Sequence, residues 1–326
     1  MKRLFAAVVL VAAGAAALFL VPSDHYVFLP DPARPVDPLV HVPDEERGAE
    51  GDGGIYMVDI LVRKANLLER VFPQVTEGAS LVPPRAFNPT GQSDAERRHE
   101  SLNQMSRSQE IAVTVALRSI GYRVRIRNRG AEVASVLPDL PAHGMLEVGD
   151  VIVRARGRRV RSRDDLLRAM RPVRPGDRVG LELIRDGERR RVRLDTVAAE
   201  DDRNRAVFGI VVVQAADFRF PVDVEIDAGD IGGPSAGLAF ALDVVDELGR
   251  EVDRGRRIAV TGTLDLDGSV GTIGGVKQKA IGAREADADV FIVPDGNAAE
   301  ARRHAEGLRV VAVSSFREAL SRLRTR

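Results

Sequence analysis

The stretch Asp230–Leu248 reads D-I-G-G-P-S-A-G-L-A-F-A-L-D-V-V-D-E-L and joins a glycine-rich turn to an apolar segment. The apolar residues after the turn recur at three- and four-residue steps, which predicts a helix that buries one face. Pro234 fits the first turn of this helix, because its missing N–H would have no partner there. Gly249 is placed to end the helix. We therefore expect a turn–helix unit around which the following strands and helices pack.

Ser235 lies in the predicted first turn, near free backbone N–H groups and the positive end of the helix dipole. Such N–H groups can hold an oxyanion, so this position suits a nucleophile. Gly233, Pro234 and Ala236 complete the turn, and we take them as supporting residues of the site. Downstream, the segment G-G-V-K-Q-K supplies Lys277 as a candidate general base.

The composition of the chain limits the chemistry that it can carry. Its 326 residues have a formal net charge of zero, so no overall basic field favours nucleic acid. The sequence has no cysteine, which excludes thiol catalysis, and its five histidines are scattered without metal-ligand spacing. We expect neither a metal nor another cofactor. Only four of the 48 basic residues are lysine, and two of these lie within G-G-V-K-Q-K.

The N-terminus has the pattern of a membrane anchor. Lys2 and Arg3 precede an uncharged run from Leu4 to Pro22, which as a helix would span about 28 Å. We predict a signal-anchor transmembrane helix over residues 1–23, with the domains after it on the extracytoplasmic side of the cell membrane. A cleaved signal peptide is the alternative.

Prolines and glycines dominate the next residues, and we predict an extended stalk over residues 24–54. Residues 55–121 are predicted as an α/β segment that packs on the later domains. This segment includes a short helix near 66–72 and a long helix that begins after Ser93 and stops at Gly121. Ser93 and Glu96 form a capping box for the long helix.

Residues 122–197 have the pattern of a small β-rich domain. A strand, the sequence L-E-V-G-D-V-I, a helix capped by Ser162 and a hairpin around Asp186-Gly187 follow one another. This order, and L-E-V-G-D-V-I in particular, resembles PDZ domains of bacterial protease-associated proteins. The resemblance implies recognition of an extended peptide by strand addition.

We predict a proteolytic domain over residues 205–326, of which roughly 205–323 resemble the C-terminal proteolytic domain of the Lon family of serine peptidases. The resemblance rests on G-G-P-S-A-G, T-G-T-L-D-L-D-G-S-V, I-G-G-V-K-Q-K and F-I-V-P-D-G-N, in that order. It implies that Ser235 is the nucleophile, that Lys277 is its base and that Thr261 orients the lysine. Gly232 stands where Lon enzymes often carry an acidic residue.

The Lon ATPase is not represented, because the sequence contains no G-x-x-x-x-G-K-[ST] loop. An anchor, a PDZ-like domain and a Lon-like domain together resemble the membrane-bound PDZ–Lon proteases of bacteria. The fold class that follows is α+β, with a β-rich PDZ-like domain and an α/β proteolytic domain. The function that follows is ATP-independent cleavage of protein or peptide substrates.

Other interpretations of the same residues stay open. Ser235 alone could be a helix-capping serine and Lys277 alone a surface lysine. A phosphate site at G-G-P-S-A-G ranks lower, because no lysine or magnesium ligand follows it. The alternative from another class is an idle membrane-tethered scaffold that binds peptides, and assembly into homo-oligomers is also open.

Overall fold

The computed structural model describes residues 18–47, 53–72, 76–88 and 91–324. In these residues the strands, numbered β1 to β20 in chain order, are Pro22–Pro30, Arg34–Pro35, Val40–His41, Gly54–Met57, Ile60–Asn66, Ser80–Val82, Arg125–Val136, Val151–Ala155, Arg158–Arg159, Arg178–Arg185, Glu188–Asp195, Val197–Ala198, Ala206–Val207, Ile210–Arg219, Glu225–Ile226, Arg257–Val260, Thr263–Leu264, Val270–Gly271, Val290–Pro294 and Arg309–Val313. The α-helices of the same residues, α1 to α8, are Leu67–Val71, Pro84–Phe87, Asp94–Ser119, Arg163–Met170, Gly237–Val245, Val276–Glu285, Ala298–His304 and Phe316–Arg324. They form two compact units.

The first unit contains the described residues up to 88, Glu225–Asp227 and residues 235–324. Its centre is a five-stranded sheet in the order β2-β4-β16-β19-β20, parallel except for the edge strand β2. All five residues of β19 are buried, as expected for a parallel strand that is covered on both faces. Helix α5 contacts β4 and β16, and all nine of its residues are buried. The apolar helix that follows the glycine-rich turn is therefore a core element.

A second sheet of the first unit is antiparallel and has the strand order β5-β1-β6. It has its own small core of Val27, Leu29 and Ala65. Helix α6 contacts β1, so the second sheet packs beside the helix that carries the two lysines.

The second unit contains the described residues from 91 to Val224 and the loop Ala228–Pro234. Its antiparallel sheet has the order β11-β10-β8-β7-β14, with β9 paired to β8. Asp186 (φ 51°) and Gly187 (φ 78°) connect β10 to β11 with the positive φ angles of a two-residue hairpin turn. Ile152, Leu181 and Leu183 are among the fully buried side chains of the core.

The loop Ala228–Pro234 is fixed within the second unit by contacts with α3. Gly233 N–H donates to Ser101 O at 2.9 Å, and Ser108 Oγ donates to Pro234 O at 3.3 Å. A Cβ at Gly232 would lie 2.3 Å from Ser101 Oγ and 3.0 Å from Ser101 Cβ, so a larger residue at this position would require the Ser101 side chain to move.

The predicted membrane anchor lies mainly outside the described residues, because residues 1–17 are not among them. Within the described part of the chain, no helix is long and apolar enough to cross a membrane. Pro22 and Ser23, which we assigned to the anchor, belong to β1, and Ser23 Oγ donates to Ala65 O. These two residues are therefore part of a strand and not of a membrane-spanning helix.

The prediction of a stalk over residues 24–54 was wrong. Its described residues form β1, β2, β3 and the start of β4, and they contain the fully buried side chains Val36 and Val40. The prolines do not prevent this arrangement, because they lie at the two ends of β1, on the edge strand β2 and in the short connections between strands. This part of the chain is built into the first unit.

Two predicted domain boundaries also differ from the structure. The predicted 55–121 segment is divided, because its described residues up to 88 belong to the first unit and α3 belongs to the second. Strand β14, predicted within the 205–326 domain, pairs with β7 in the second unit. Both predicted helices of the 55–121 segment are confirmed, as are the capping box of Ser93 and Glu96 and the hairpin at Asp186.

Candidate active site

Ser235 lies in the 3-10 turn Pro234–Ala236, directly before the first residue of α5. Two backbone hydrogen bonds hold this turn against the segment after β16. Gly262 N–H donates to Ser235 O at 2.8 Å, and Leu238 N–H donates to Gly262 O at 3.1 Å. A Cβ at Gly262 would lie 3.0 Å from Val270 Cγ1, so the close approach favours glycine. The serine is thus presented at the start of a buried helix, as the sequence predicts.

Lys279 lies in the first half of α6, which begins after Gly275 (φ 67°). It is three residues after Val276 and four before Ala283, and both of these are buried in the core of the first unit. Residues at such spacings share one face of a helix. The lysine is therefore placed in the apolar stripe of α6, and only 2% of its surface is exposed.

The ammonium group of Lys279 is held by two hydroxyl groups. Its Nζ donates to Ser235 Oγ at 2.8 Å and to Thr261 Oγ1 at 3.1 Å. Thr261 Oγ1 in turn donates to Ser235 O at 3.3 Å, and Thr261 is fully buried. The three side chains come from the start of α5, the end of β16 and the face of α6. Together they form a connected Ser–Lys–Thr cluster.

Burial controls the protonation of this cluster. Removal from water lowers the pKa of Lys279 from 10.5 to about 8, and the negative charge of Asp59 partly opposes the shift. A lysine with this pKa has an appreciable free-amine fraction near neutral pH, and the free amine can accept a proton. The arrangement can therefore remove the proton of the Ser235 hydroxyl.

The structure corrects the choice of Lys277 as the candidate base. Lys277 is rotated about 200° from Lys279 around the helix axis, so the two side chains cannot reach the same group. Lys277 Nζ donates to Ala79 O at 3.1 Å, while Lys279 reaches Ser235. Ala280 and Ile281 follow Lys277 at the same helical spacings, so the sequence alone did not separate the two lysines.

The predicted supporting residues Gly233, Pro234 and Ala236 flank Ser235 in the chain. Gly233 adopts φ 85°, which favours glycine, and Ala236 is buried in the 3-10 turn. Among the described residues no group of three or more His, Cys, Asp or Glu side chains could hold a metal ion. Asp59 was not predicted as a site residue, because it is distant in sequence from both motifs.

In the second unit, both sides of β7 are paired. β8 pairs with one side of β7, and β14 pairs with the other side from Ile210↔Val136 to Arg219↔Arg125. β14 is the terminal strand of the sheet and contacts α4. Arg107 donates to Gln214 O, a carbonyl of β14, at 2.6 Å.

Two segments of the chain match the models of known families. Residues 213–323 match the family described as Lon protease (S16) C-terminal proteolytic domain, and residues 119–196 match the PDZ domain family. The match to the Lon domain begins within β14 and includes all three residues of the Ser–Lys–Thr cluster.

Similar proteins cover only part of the chain. Lon protease 2 of Bacillus subtilis is 32% identical over 104 residues, which are 32% of this chain and 18% of that protein. Lon protease of Mycoplasma pneumoniae is 38% identical over 79 residues, which are 23% of this chain and 10% of that protein. The matched region thus spans less than a fifth of the length of these curated relatives.

The comparison with solved structures also finds similarity over about a quarter of the chain. The PDZ domain of the SdrC-like protein from Listeria monocytogenes is 23% identical and covers 26% of this chain and 88% of its own, with a TM-score of 0.25. The prediction of a Lon-type serine peptidase domain behind a PDZ domain is confirmed by the two family matches. The chain therefore carries a PDZ domain at residues 119–196, followed by the C-terminal proteolytic domain of the Lon serine peptidases at residues 213–323.

Proposed function

We propose that this chain is a serine endopeptidase in which Ser235 is the nucleophile and Lys279 is the general base. The observation that carries the proposal is the 2.8 Å contact between Lys279 Nζ and Ser235 Oγ, made by a lysine that is 2% exposed. A serine hydroxyl is a weak nucleophile until a neighbouring base takes its proton. A buried lysine can be that base without a histidine or an aspartate.

Acylation begins when Lys279 is a free amine. Ser235 Oγ transfers its proton to Lys279 Nζ as the oxygen attacks the carbonyl carbon of the scissile peptide bond. The negative charge that develops on the carbonyl oxygen is stabilised by the positive end of α5, at whose start Ser235 lies. The C–N bond then breaks, Lys279 gives its proton to the leaving amine, and an ester of Ser235 remains.

Deacylation reverses these roles with water as the attacking group. Lys279 takes a proton from the water as its oxygen attacks the ester carbon, and then returns that proton to Ser235 Oγ. The acid is released and the free serine is restored. Thr261 Oγ1 contacts both Lys279 Nζ and Ser235 O, so we assign it to holding the amine in line with Oγ. Gly233, Pro234 and Ala236 shape the turn that presents the serine.

We further propose that cleavage does not require ATP and that the substrates are proteins or peptides. The sequence has no phosphate-binding loop of the G-x-x-x-x-G-K-[ST] type. The PDZ domain is proposed to select or restrain substrates. Since both sides of β7 are paired, a peptide would add to the outer edge of β14 or replace it.

The uncharged run after Lys2 and Arg3 supports the proposal that the chain is tethered to the cell membrane with its domains outside the cytoplasm. Protease added to intact spheroplasts should then digest the domains. Protection of the domains until the cells are lysed would contradict this orientation.

The function is tested by labelling with an activity-based serine probe and by hydrolysis of an unfolded protein after enzymatic removal of nucleotide. We expect Ser235 to be labelled, and hydrolysis to proceed without ATP and to be lost in Ser235→Ala. A chain that binds peptides but shows neither labelling nor hydrolysis would be the idle scaffold. Hydrolysis that strictly requires ATP would contradict the ATP-independent mechanism alone.

A further inference from the structure

The segment after β4 runs along the same face of α6 that carries Lys279. Gly275, Lys279 and Gly282 are spaced by four and three residues and therefore share one face of the helix. A Cβ at Gly275 would lie 2.9 Å from Ile60 Cγ2, and a Cβ at Gly282 would lie 3.3 Å from Val58 Cγ1. Val58 and Ile60 thus contact α6 on either side of Lys279, and Asp59 lies between them in the chain.

The register of the strands also places Asp59 near Lys279. β4 and β16 are parallel neighbours with Met57 opposite Val260, so both strands end at the same edge of the sheet. Thr261 follows β16 directly and contacts Lys279, while Asp59 follows the end of β4 by two residues. Because the carboxyl ends of parallel strands meet at one edge, Asp59 lies at the edge that carries the Ser–Lys–Thr cluster.

Asp59 is held by an arginine from β2. Arg34 Nη2 donates to Asp59 Oδ2 at 3.3 Å and also to Asp31 Oδ2 at 3.3 Å. The Asp59 side chain is 17% exposed, whereas those of Arg34 and Asp31 are 52% and 37% exposed. Arg34 lies opposite Met57 in the β2–β4 pair, so the sheet fixes the end of the arginine near the end of β4.

The groups that contact or influence Lys279 come from α5, from the end of β16 and from the segment after β4. On α6 itself, Lys277 is directed to Ala79 O. From α5 and β16 the neighbours are the hydroxyls of Ser235 and Thr261. Asp59 is the carboxylate that opposes the effect of burial on the lysine.

We propose that Asp59 is the electrostatic partner of the Lys279 ammonium and that Arg34, by pairing with Asp59, sets how much of this lysine is free amine at neutral pH. The pair acts through the lysine and contacts no reacting atom, so Asp59 and Arg34 are positioning residues. This inference rests on the proposed function for its meaning in catalysis, but the electrostatic coupling itself exists without catalysis.

Removing the charge of Asp59 and removing the charge of Arg34 should change the protonation of Lys279 in opposite directions. Loss of the Asp59 charge removes an attraction for the ammonium and favours the free amine. Loss of the Arg34 charge leaves Asp59 less neutralised and favours the ammonium. The two substitutions should therefore move the protonation midpoint of Lys279 in opposite directions, by about half to one pH unit each.

The coupling can be measured directly, because the chain has only four lysines. The full chain is labelled with lysine carrying ¹³C at Cε, and the signal of Lys279 is assigned by its loss in Lys279→Gln. Its chemical shift is then followed from pH 5 to pH 11 in the wild type and in four variants, which are Asp59→Asn, Arg34→Gln, Arg34→Lys and the matched control Asp31→Asn.

We expect Asp59→Asn to lower the midpoint of Lys279, Arg34→Gln to raise it, and Arg34→Lys to keep it close to that of the wild type. Asp31→Asn removes the other carboxylate partner of Arg34 and should change the midpoint less than Asp59→Asn does. The proposal is overturned if Asp59→Asn leaves the midpoint unchanged or raises it, or if Asp31→Asn moves it as much. Should Asp59→Asn fail to fold, an unchanged midpoint in Arg34→Gln is sufficient to reject the proposal.

The proposed function is tested separately from the electrostatic coupling of Asp59 and Lys279. If neither probe labelling nor hydrolysis is found, the titration still tests the coupling. If hydrolysis is found, the acid limb of kcat/KM against pH should shift in each variant in the same direction as the NMR midpoint. Hydrolysis with unshifted midpoints would leave the Ser235–Lys279 mechanism intact and reject the role of the Arg34–Asp59 pair.

Discussion

The two faces of α6 use the same residue type for different purposes. On one face Lys279 is buried among apolar residues and contacts two hydroxyl groups. On the other face Lys277 and Gln278 bind the chain at Gly78, Ala79 and Ser80 through backbone and hydroxyl oxygens. The first face holds a lysine whose pKa burial lowers, and the second fastens β6 to the helix. The position of a lysine on the helix surface therefore decides whether it can serve as a base.

The largest expected difference in activity is between two variants that each replace one of these lysines by arginine. Lys279→Arg should lower kcat/KM by about 10³-fold or more, because arginine cannot lose its proton in a protein. Lys277→Arg keeps a donor for Ala79 O and should retain activity within about threefold of the wild type. The measurement is steady-state hydrolysis of a peptide substrate, with circular dichroism as the control for folding.

If Lys277→Arg were inactive and Lys279→Arg active, Lys277 and not Lys279 would be the base. If both variants stayed active, neither lysine would be the base.

A smaller loss is expected when the hydroxyl that holds Lys279 is removed. Thr261→Val should lower kcat/KM about 10- to 100-fold, because one hydrogen bond to the lysine and one to Ser235 O are lost. Thr261→Ser keeps the hydroxyl and is the matched control, which should recover most of the activity. Equal losses in both variants would show that the threonine methyl group matters rather than its hydroxyl.

Burial of Lys279 should also lower the stability of the folded chain at neutral pH. Because the folded pKa of Lys279 is lowered to about 8, the unfolded chain binds more protons between that pH and 10.5. The cost of burying this lysine is therefore fully present below about pH 8 and disappears as the pH rises to 10.5. Lys279→Met should raise the unfolding free energy by about 1 to 2 kcal/mol at pH 7 and by less at pH 10.

Urea unfolding at both pH values measures this difference. A gain from Lys279→Met that is equal at pH 7 and pH 10 would show that apolar packing, and not the charge, is responsible.

The smallest effect on stability is expected when the hydrogen bond of Lys277 is removed. Lys277→Met removes one partly buried hydrogen bond to Ala79 O and should lower the unfolding free energy by about 0.5 to 1 kcal/mol. Its activity at temperatures below unfolding should stay close to that of the wild type. A loss of activity without a loss of stability would imply that Lys277 also acts in catalysis.

Local sequence signals were sufficient where structure is built from neighbours in the chain. The glycine-rich turn before Ser235, the apolar helix after it and the start of α6 after Gly275 follow from residue spacing and glycine positions. The capping box of α3 and the hairpin at Asp186-Gly187 are local in the same sense. These features predicted the position of Ser235 at the start of α5.

Pairings between distant segments could not be obtained in this way. The predicted stalk became β1, β2 and β3 because its valines and leucines find partners in strands that come later in the chain. The closure of β7 by β14 joins segments about 80 residues apart, and the placement of Asp59 beside α6 depends on the parallel register of β4 and β16. The choice between Lys277 and Lys279 required the rotation of the helix against that sheet.

The claim that the free amine of Lys279 activates Ser235 is tested most directly by the pH dependence of Ser235 acylation. The rate constant for labelling by a serine probe whose own reactivity does not change with pH is measured from pH 5.5 to pH 9.5. We predict a rate that rises with pH to a plateau, with a midpoint near 8, in the wild type and in Lys277→Arg, and no such rise in Lys279→Arg. A rate that does not depend on pH, or the same rise in Lys279→Arg, would contradict the account.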